Sequence, residues 1–249
     1  MLKSIFSLIL VFASSLSVAN EVNIYTSRHY DSDDQLYEDF RKETGIKINV
    51  ISGNGSALLE RLKSEGANSP ADIFFTVDAG NLWKIQKEGY FQSISSSKAL
   101  SIVPKNLRGP NNEWIAIAKR ARVIFYNPDN VSDEEIKDLR YENLADKKWS
   151  NRIVIRSSNN IYNQSLVASL ISTHGIDETE LWAKGLISNF ARKPQGNDRS
   201  QIMAVASGIA DIAIANSYYY GYMLSGKAGE NQQKAARKVK MFFPNQNDR

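Results

Sequence analysis

Apolar residues change their spacing repeatedly along the first part of the chain, and each change predicts an element. Val22-Asn23-Ile24-Tyr25 alternates with the period of a strand. Ser32 and Gln35 have the spacing of a helix-capping box, and Leu36, Tyr37 and Phe40 then fall on one helical face that Gly45 ends. Ile46, Ile48 and Val50 restore the period of two, which completes a β-α-β unit. Leu58, Leu59 and Leu62 mark a helix over residues 56–65 with Gly66 as its stop. The apolar run 71–77 suits a buried parallel strand, and Asp78 is placed to cap a helix over 79–88 that Gly89 ends.

The middle of the chain is more broken. Pro104, Gly109 and Pro110 punctuate a loop, and residues 114–118 and 122–126 read as two extended segments. Ser132 and Glu135 form a second capping box. A short strand over 152–156 leads through a polar loop into a helix over 161–173. Helices follow over 181–190 and 199–206, the second stopped by Gly208. A strand over 210–215, a helix opening at Ser217 and a strand over 238–243 complete the pattern. Strands that alternate with helices predict α/β layers around mostly parallel sheets. In such sheets ligands bind beyond the carboxyl ends of strands.

Composition adds three constraints. Of 249 residues, 42% are hydrophobic and 23% charged, an ordinary globular balance sufficient for one large domain or two lobes. The net charge of +4, to which Lys3 contributes one, is spread along the chain and does not form a nucleic-acid stripe. Residues 1–19 predict a signal peptide: a basic start, an apolar run over 5–13, and Ser17-Val18-Ala19 as the cleavage site. That run is short against the ~20 residues a membrane-spanning helix needs. An exported chain without cysteine is held by its core alone and offers no soft metal site, which fits a bacterial periplasmic protein.

The candidate chemistry lies in tyrosines. Tyr218 and Tyr219 follow the apolar run 212–216, and Tyr162 and the pair His29-Tyr30 also follow predicted strands. Phenols gathered after three different strands point to one shared site. A free phenol has a pKa of about 10, so phenolate at neutral pH needs strong positive charge close by. A trivalent cation supplies it, and hard anionic oxygen suits ferric iron. Four phenolates around one ferric ion leave one negative charge in excess, which Arg28 or Arg156 could offset. Tyr220 and Tyr222 read as packing or surface residues, and Tyr25, Tyr37, Tyr90, Tyr126 and Tyr141 as core packing.

Alternatives stay open. His29 is a ligand or a loop residue, His174 a helix-end cap, and Asp31, Asp33 and Asp34 an acidic first helical turn rather than a calcium site. The aromatic residues could instead wall a pocket for a small organic or anionic solute. An exported enzyme using His29 with Asp31 or Asp33 as a base is a third reading, but no nucleophile stands at suitable spacing.

Ser27-Arg28-His29-Tyr30, Ile161-Tyr162-Asn163-Gln164-Ser165 and Ala215-Asn216-Ser217-Tyr218-Tyr219 together resemble the periplasmic ferric-iron-binding proteins of iron ABC importers. The likeness is to their tyrosine-rich cyanobacterial and marine branch and runs from Glu21 to the chain end. It implies a two-lobed periplasmic-binding-protein fold that closes over Fe(III), with Tyr30, Tyr162, Tyr218 and Tyr219 as metal ligands and His29 at a position that is a metal ligand in some relatives and not in others. It also implies delivery to an inner-membrane ABC permease by a monomeric carrier that is not an enzyme. The expected domains are a signal peptide over 1–19, a first lobe over 20–118, a second over 119–235, and a strand over 236–249 returning toward the first. Relatives are longer, so the chain is expected to be truncated after its last strand. Tyr222 stands where some relatives carry an arginine, which leaves the charge-balancing group open.

Overall fold

A computed structural model describes residues 20–28 and 30–246. The expected signal peptide over 1–19 and His29 lie outside the described residues. The chain divides into two compact units, Met1–Val77 and Asp78–Arg249.

The first unit is a β-α-β-α-β run: β1 (Glu21–Thr26), α1 (Asp31–Thr44), β2 (Lys47–Ser52), α2 (Gly55–Glu65) and β3 (Ile73–Phe75). Its three strands are all parallel, in the order β2-β1-β3, with Ile24 opposite both Val50 and Ile73. Central β1 buries Ile24 and Tyr25, and α2 buries Leu58 and Leu62. Gly45 ends α1 with φ 72°, the left-handed conformation for which glycine suits a helix stop.

Three sequence expectations change here. The capping box at Ser32 does not form: Tyr30 is extended and occupies the cap position, no side chain caps the helix, and Ser32 lies in its first turn. The run 71–77 yields only three strand residues, at the sheet edge, and Ile73 is 47% exposed. An edge strand of that length has one covered flank at most, so its apolar character does not bury it. Leu36 and Phe40 on α1 are likewise exposed.

The second unit begins with α3 (Ala79–Lys87) and α4 (Ser97–Ile102), then β4 (Arg122–Tyr126) and α5 (Asp133–Ile136). It continues through β5 (Ile153–Val154), α6 (Ile161–His174), α7 (Ile176–Ser188), α8 (Asp198–Ala206) and β6 (Ile212–Asn216). It closes with α9 (Tyr218–Leu224), α10 (Glu230–Arg237) and β7 (Lys240–Phe242). The sheet order is β5-β6-β4-β7, with β5 and β6 parallel and β4 antiparallel to both neighbours.

Strand alternation splits the core into two layers. Ile124, Tyr126, Ile153, Ile212 and Ile214 face Leu166, Leu170, Leu186 and Trp149 on one side. Val123, Phe125, Val154, Ala213 and Ala215 face Ile202, Val205 and Met223 on the other. Strand β6 is buried at all five residues, four as an unbroken apolar run and the fifth, Asn216, as a polar side chain that accepts from Arg122. The box of Ser132 and Glu135 forms as expected. Residues 114–118 form no strand: Ile115 makes one isolated bridge to Arg108, and the Trp114 indole donates to Gln86. Helix α7 starts at Ile176, earlier than expected, and α10 was not foreseen because its face is largely polar.

Candidate functional site

The carboxyl ends of β5 and β6 lead into the tyrosine-bearing helices. After β5, Asn160 caps α6 by accepting from the Tyr162 backbone N–H at 3.0 Å. Asn163 donates to the carbonyls of Arg156 and Ser157 at 2.7 and 3.2 Å, which pins the loop before the helix. After β6, the Ser217 N–H donates to the Ala121 carbonyl at 2.9 Å and α9 begins at once with Tyr218. Two rigid helix starts therefore present their first-turn side chains from adjacent parallel strands.

The phenols meet. The Tyr218 and Tyr219 rings lie 4.2 Å apart at 37°, and the Tyr218 hydroxyl is hydrogen-bonded to those of Tyr219 and Tyr162. Burial pushes the Tyr218 phenol well above its ordinary value, and the bonds to Tyr219 and Tyr162 push it further.

Three guanidiniums surround the Tyr162 ring. Cζ of Arg120, Arg156 and Arg122 lies 4.5, 5.5 and 6.0 Å from its centroid. Arg122 is almost buried and donates to Asn163 at 2.6 Å, Asn216 at 3.0 Å and Asp198 at 3.2 Å. Burial depresses its pKa while the Asp198 charge opposes the fall, and a guanidinium keeps its proton regardless. Arg156 reaches the same Asp198 at 3.5 Å. One carboxylate thus faces two guanidiniums, and the cluster keeps a surplus positive charge beside Tyr162. Arg120 pairs with Asp78.

In the first unit, Tyr30 is 37% exposed under the Arg28 guanidinium, whose Cζ lies 5.0 Å from the ring. Arg28 grips Asp33 with two bonds of 2.8 Å. Asp33 is therefore held by an arginine rather than poised as a base. Of the sequence-predicted ligands, Tyr162, Tyr218 and Tyr219 are brought together in the second unit, and Tyr30 belongs to the first. Tyr220 packs on Phe125 and donates to the Val239 carbonyl, and Tyr222 is exposed, as expected of packing and surface residues. His174 binds the Glu142 carboxylate at 2.8 Å and does not cap its helix. Among the described residues no three His, Cys, Asp or Glu side chains are grouped to hold a metal, so zinc- and calcium-type donor sets are absent there.

Sequence reasoning named Arg28 and Arg156 as charge-balancing groups but missed Arg120, Arg122, Asn163, Asp198 and Asn216. The available signal was a charged residue heading an otherwise apolar strand, Arg122 before Val123-Ile124-Phe125-Tyr126.

The sequence profile of the bacterial extracellular solute-binding proteins matches residues 68–246. Over 230 residues the chain is 53% identical to iron uptake protein A1 of Synechocystis sp., covering 92% of this chain and 63% of that protein. It is 47% identical to iron uptake protein A2 of the same organism over 224 residues, covering 90% of this chain and 62% of that one. The chain therefore spans about 63% of the length of the curated relatives it matches. Among solved structures, the Trichodesmium IdiA (FutA) protein in complex with iron and citrate ligands superposes with a TM-score of 0.85 at 56% identity, over 91% of this chain and 71% of that one. The ferric binding protein from Campylobacter jejuni gives 0.84 at 38%, over 92% and 72%. The two-unit α/β architecture is the one these proteins share. No helix among the described residues is long and apolar enough to cross a membrane.

Proposed function

We propose that this chain, which belongs to the bacterial extracellular solute-binding protein family, captures ferric iron in the periplasm and delivers it to an inner-membrane ABC permease. The observation that carries the reading is the meeting of three phenol hydroxyls, those of Tyr162, Tyr218 and Tyr219, in one hydrogen-bonded group. Hard oxygen donors, in a chain with no thiol and with no carboxylate cluster among the described residues, select a hard, highly charged ion. The surplus positive charge of Arg122, Arg156 and Asp198 supports a site that becomes anionic when its phenols lose their protons. The names of the Synechocystis and Trichodesmium relatives support iron as the cargo.

In this reading Tyr162, Tyr218 and Tyr219 are ligands, and Tyr30 and His29 belong to the same ligand set. The division into lobes over 20–118 and 119–235, export by residues 1–19 and a monomeric carrier are parts of it. A small organic or anionic solute is less well supported, because Asp198 and Asp78 answer two of the three guanidiniums around Tyr162, which leaves one positive charge beside a group of phenols rather than a cationic pocket. Calorimetry tests the choice: ferric citrate is expected to bind, and a panel of amines, sugars and phosphonates is not. Binding of one of those solutes with no uptake of iron would overturn the reading.

A further inference from the structure

Asp78 adopts a backbone conformation that residues other than glycine seldom take, with φ 77° and ψ 133°. Such a conformation persists where the surroundings over-determine it, and it tends to mark a functional constraint. Three groups hold Asp78. Its Oδ1 accepts from the Gly80 N–H at 2.9 Å, which caps α3, and from the Ser165 hydroxyl at 2.6 Å. Its Oδ2 accepts from Arg120. The side chain is only 7% exposed.

Both outer partners lead to Tyr162. Ser165 stands three residues after Tyr162 on α6, one turn along the same face. The Arg120 guanidinium lies over the Tyr162 ring at 4.5 Å, nearer than Arg122 or Arg156. One carboxylate thus grips the helix that carries Tyr162 and the cation that lies on its face. Capping α3 does not require this: one oxygen suffices for a cap, and asparagine supplies it equally well. The second oxygen and the charge serve Arg120.

We propose that Asp78 is a positioning residue of the iron site, acting through Arg120 to hold a guanidinium against the face of Tyr162. The proposal rests on the ferric reading above. A cation over a ring attracts it more strongly as the ring gains electron density, which is what ligation as phenolate brings. Arg120 therefore steadies Tyr162 in the iron-bound form and lowers the energy of the phenolate electrons. Lower-lying donor electrons place the phenolate-to-iron charge-transfer band at higher energy. Releasing Arg120 moves the band to the red and loosens the ion.

The test uses the full chain loaded with ferric nitrilotriacetate. Asp78→Asn keeps an acceptor for Gly80 and Ser165 and removes the charge that anchors Arg120. Arg120→Gln removes the cation itself, from a side chain 28% exposed, where loss of folding is not expected. Both variants are expected to bind iron with a red-shifted band and to lose it to a competing chelator about fivefold faster. In the Arg120→Gln background, Asp78→Asn is expected to add no further shift. Wild-type band position and release rate in both variants would overturn the proposal. So would Ser165→Ala giving the same shift with Arg120 intact, since Asp78 would then act through the helix alone. A wild-type chain that develops no band at all would overturn the ferric reading instead, and the two failures are told apart by the wild-type spectrum.

Discussion

Arg122 places a guanidinium nitrogen 3.2 Å from the carboxylate of Asp198, whose side chain has no exposure at all. Arg156 shares the same carboxylate, and the Asn216 backbone N–H donates to it at 3.2 Å. Removing Asp198 leaves two guanidiniums close together in a dry site with no counter-charge. Asp198→Ala is expected to destabilise the protein by about 3–5 kcal/mol, read as a lower urea midpoint. An unchanged midpoint would show that the buried pairs carry no such weight.

The Tyr218 phenol is raised above its ordinary value of 10.0 by burial first, then by Tyr219 and Tyr162. In the metal-free protein this contributes stability wherever both folded and unfolded chains keep the proton, which is below pH 10. Above that pH the unfolded chain ionises first, and stability falls. Thermal unfolding of the metal-free chain is expected to show this fall, and Tyr218→Phe to reduce it.

Ferric binding has to displace the same protons, so affinity is expected to rise with pH. Competition against a chelator of known pH dependence, at slightly acid and slightly alkaline pH, measures it. Affinity independent of pH would mean that no phenol loses a proton on loading.

Glu142 shows the opposite shift. Burial alone would raise its pKa, but the Asn245 amide, its own backbone N–H, His174 and Arg140 together lower it from 4.5 to about 2. A carboxylate depressed in the fold contributes stability that is present above pH 4.5 and lost as pH falls toward 2. Glu142→Gln is expected to leave a shallower loss of stability across that window, followed by circular dichroism. A profile identical to wild type would exclude the Asn245 and His174 contacts from acid stability.

Gly185 lets α7 lie against Ala145. A Cβ at position 185 would stand 2.8 Å from the Ala145 Cβ and 3.0 Å from its carbonyl oxygen. The clash is with backbone as well as side chain, so it is not relieved by a rotamer change. Gly185→Ala is expected to cost about 1–3 kcal/mol despite alanine's better helix propensity. A stabilised variant would mean that the two segments separate freely.

Local chemistry made much of the fold legible. Gly45 and Gly66 stop helices where their backbone freedom is needed, Asp78 caps α3, and the Ser132 box forms. Placing Tyr162 and Tyr218-Tyr219 after strands was enough to bring them to one end of one sheet, because β5 and β6 are parallel neighbours. What local pattern could not show was direction and distance. The run Arg122–Tyr126 reads as extended in either direction, and its antiparallel course is set by pairing with Ile212–Asn216 and Lys240–Phe242. That course carries Arg122 to Asp198 and Asn216, partners 76 and 94 residues away. Ser32 has a capping-box partner in Gln35, yet the helix starts at Asp31, two residues before such a box would start it, so the box has no free end to cap.

The central claim is that phenolate oxygens hold ferric iron, and one spectrum tests it most directly. The metal-free chain is titrated with ferric citrate in visible light beside its Tyr162→Phe, Tyr218→Phe and Tyr219→Phe variants. A coloured charge-transfer band saturating at one iron per chain, and weakened or lost in each variant, is the predicted result. A wild-type chain that stays colourless at saturation, or a band unaltered by all three substitutions, would contradict it.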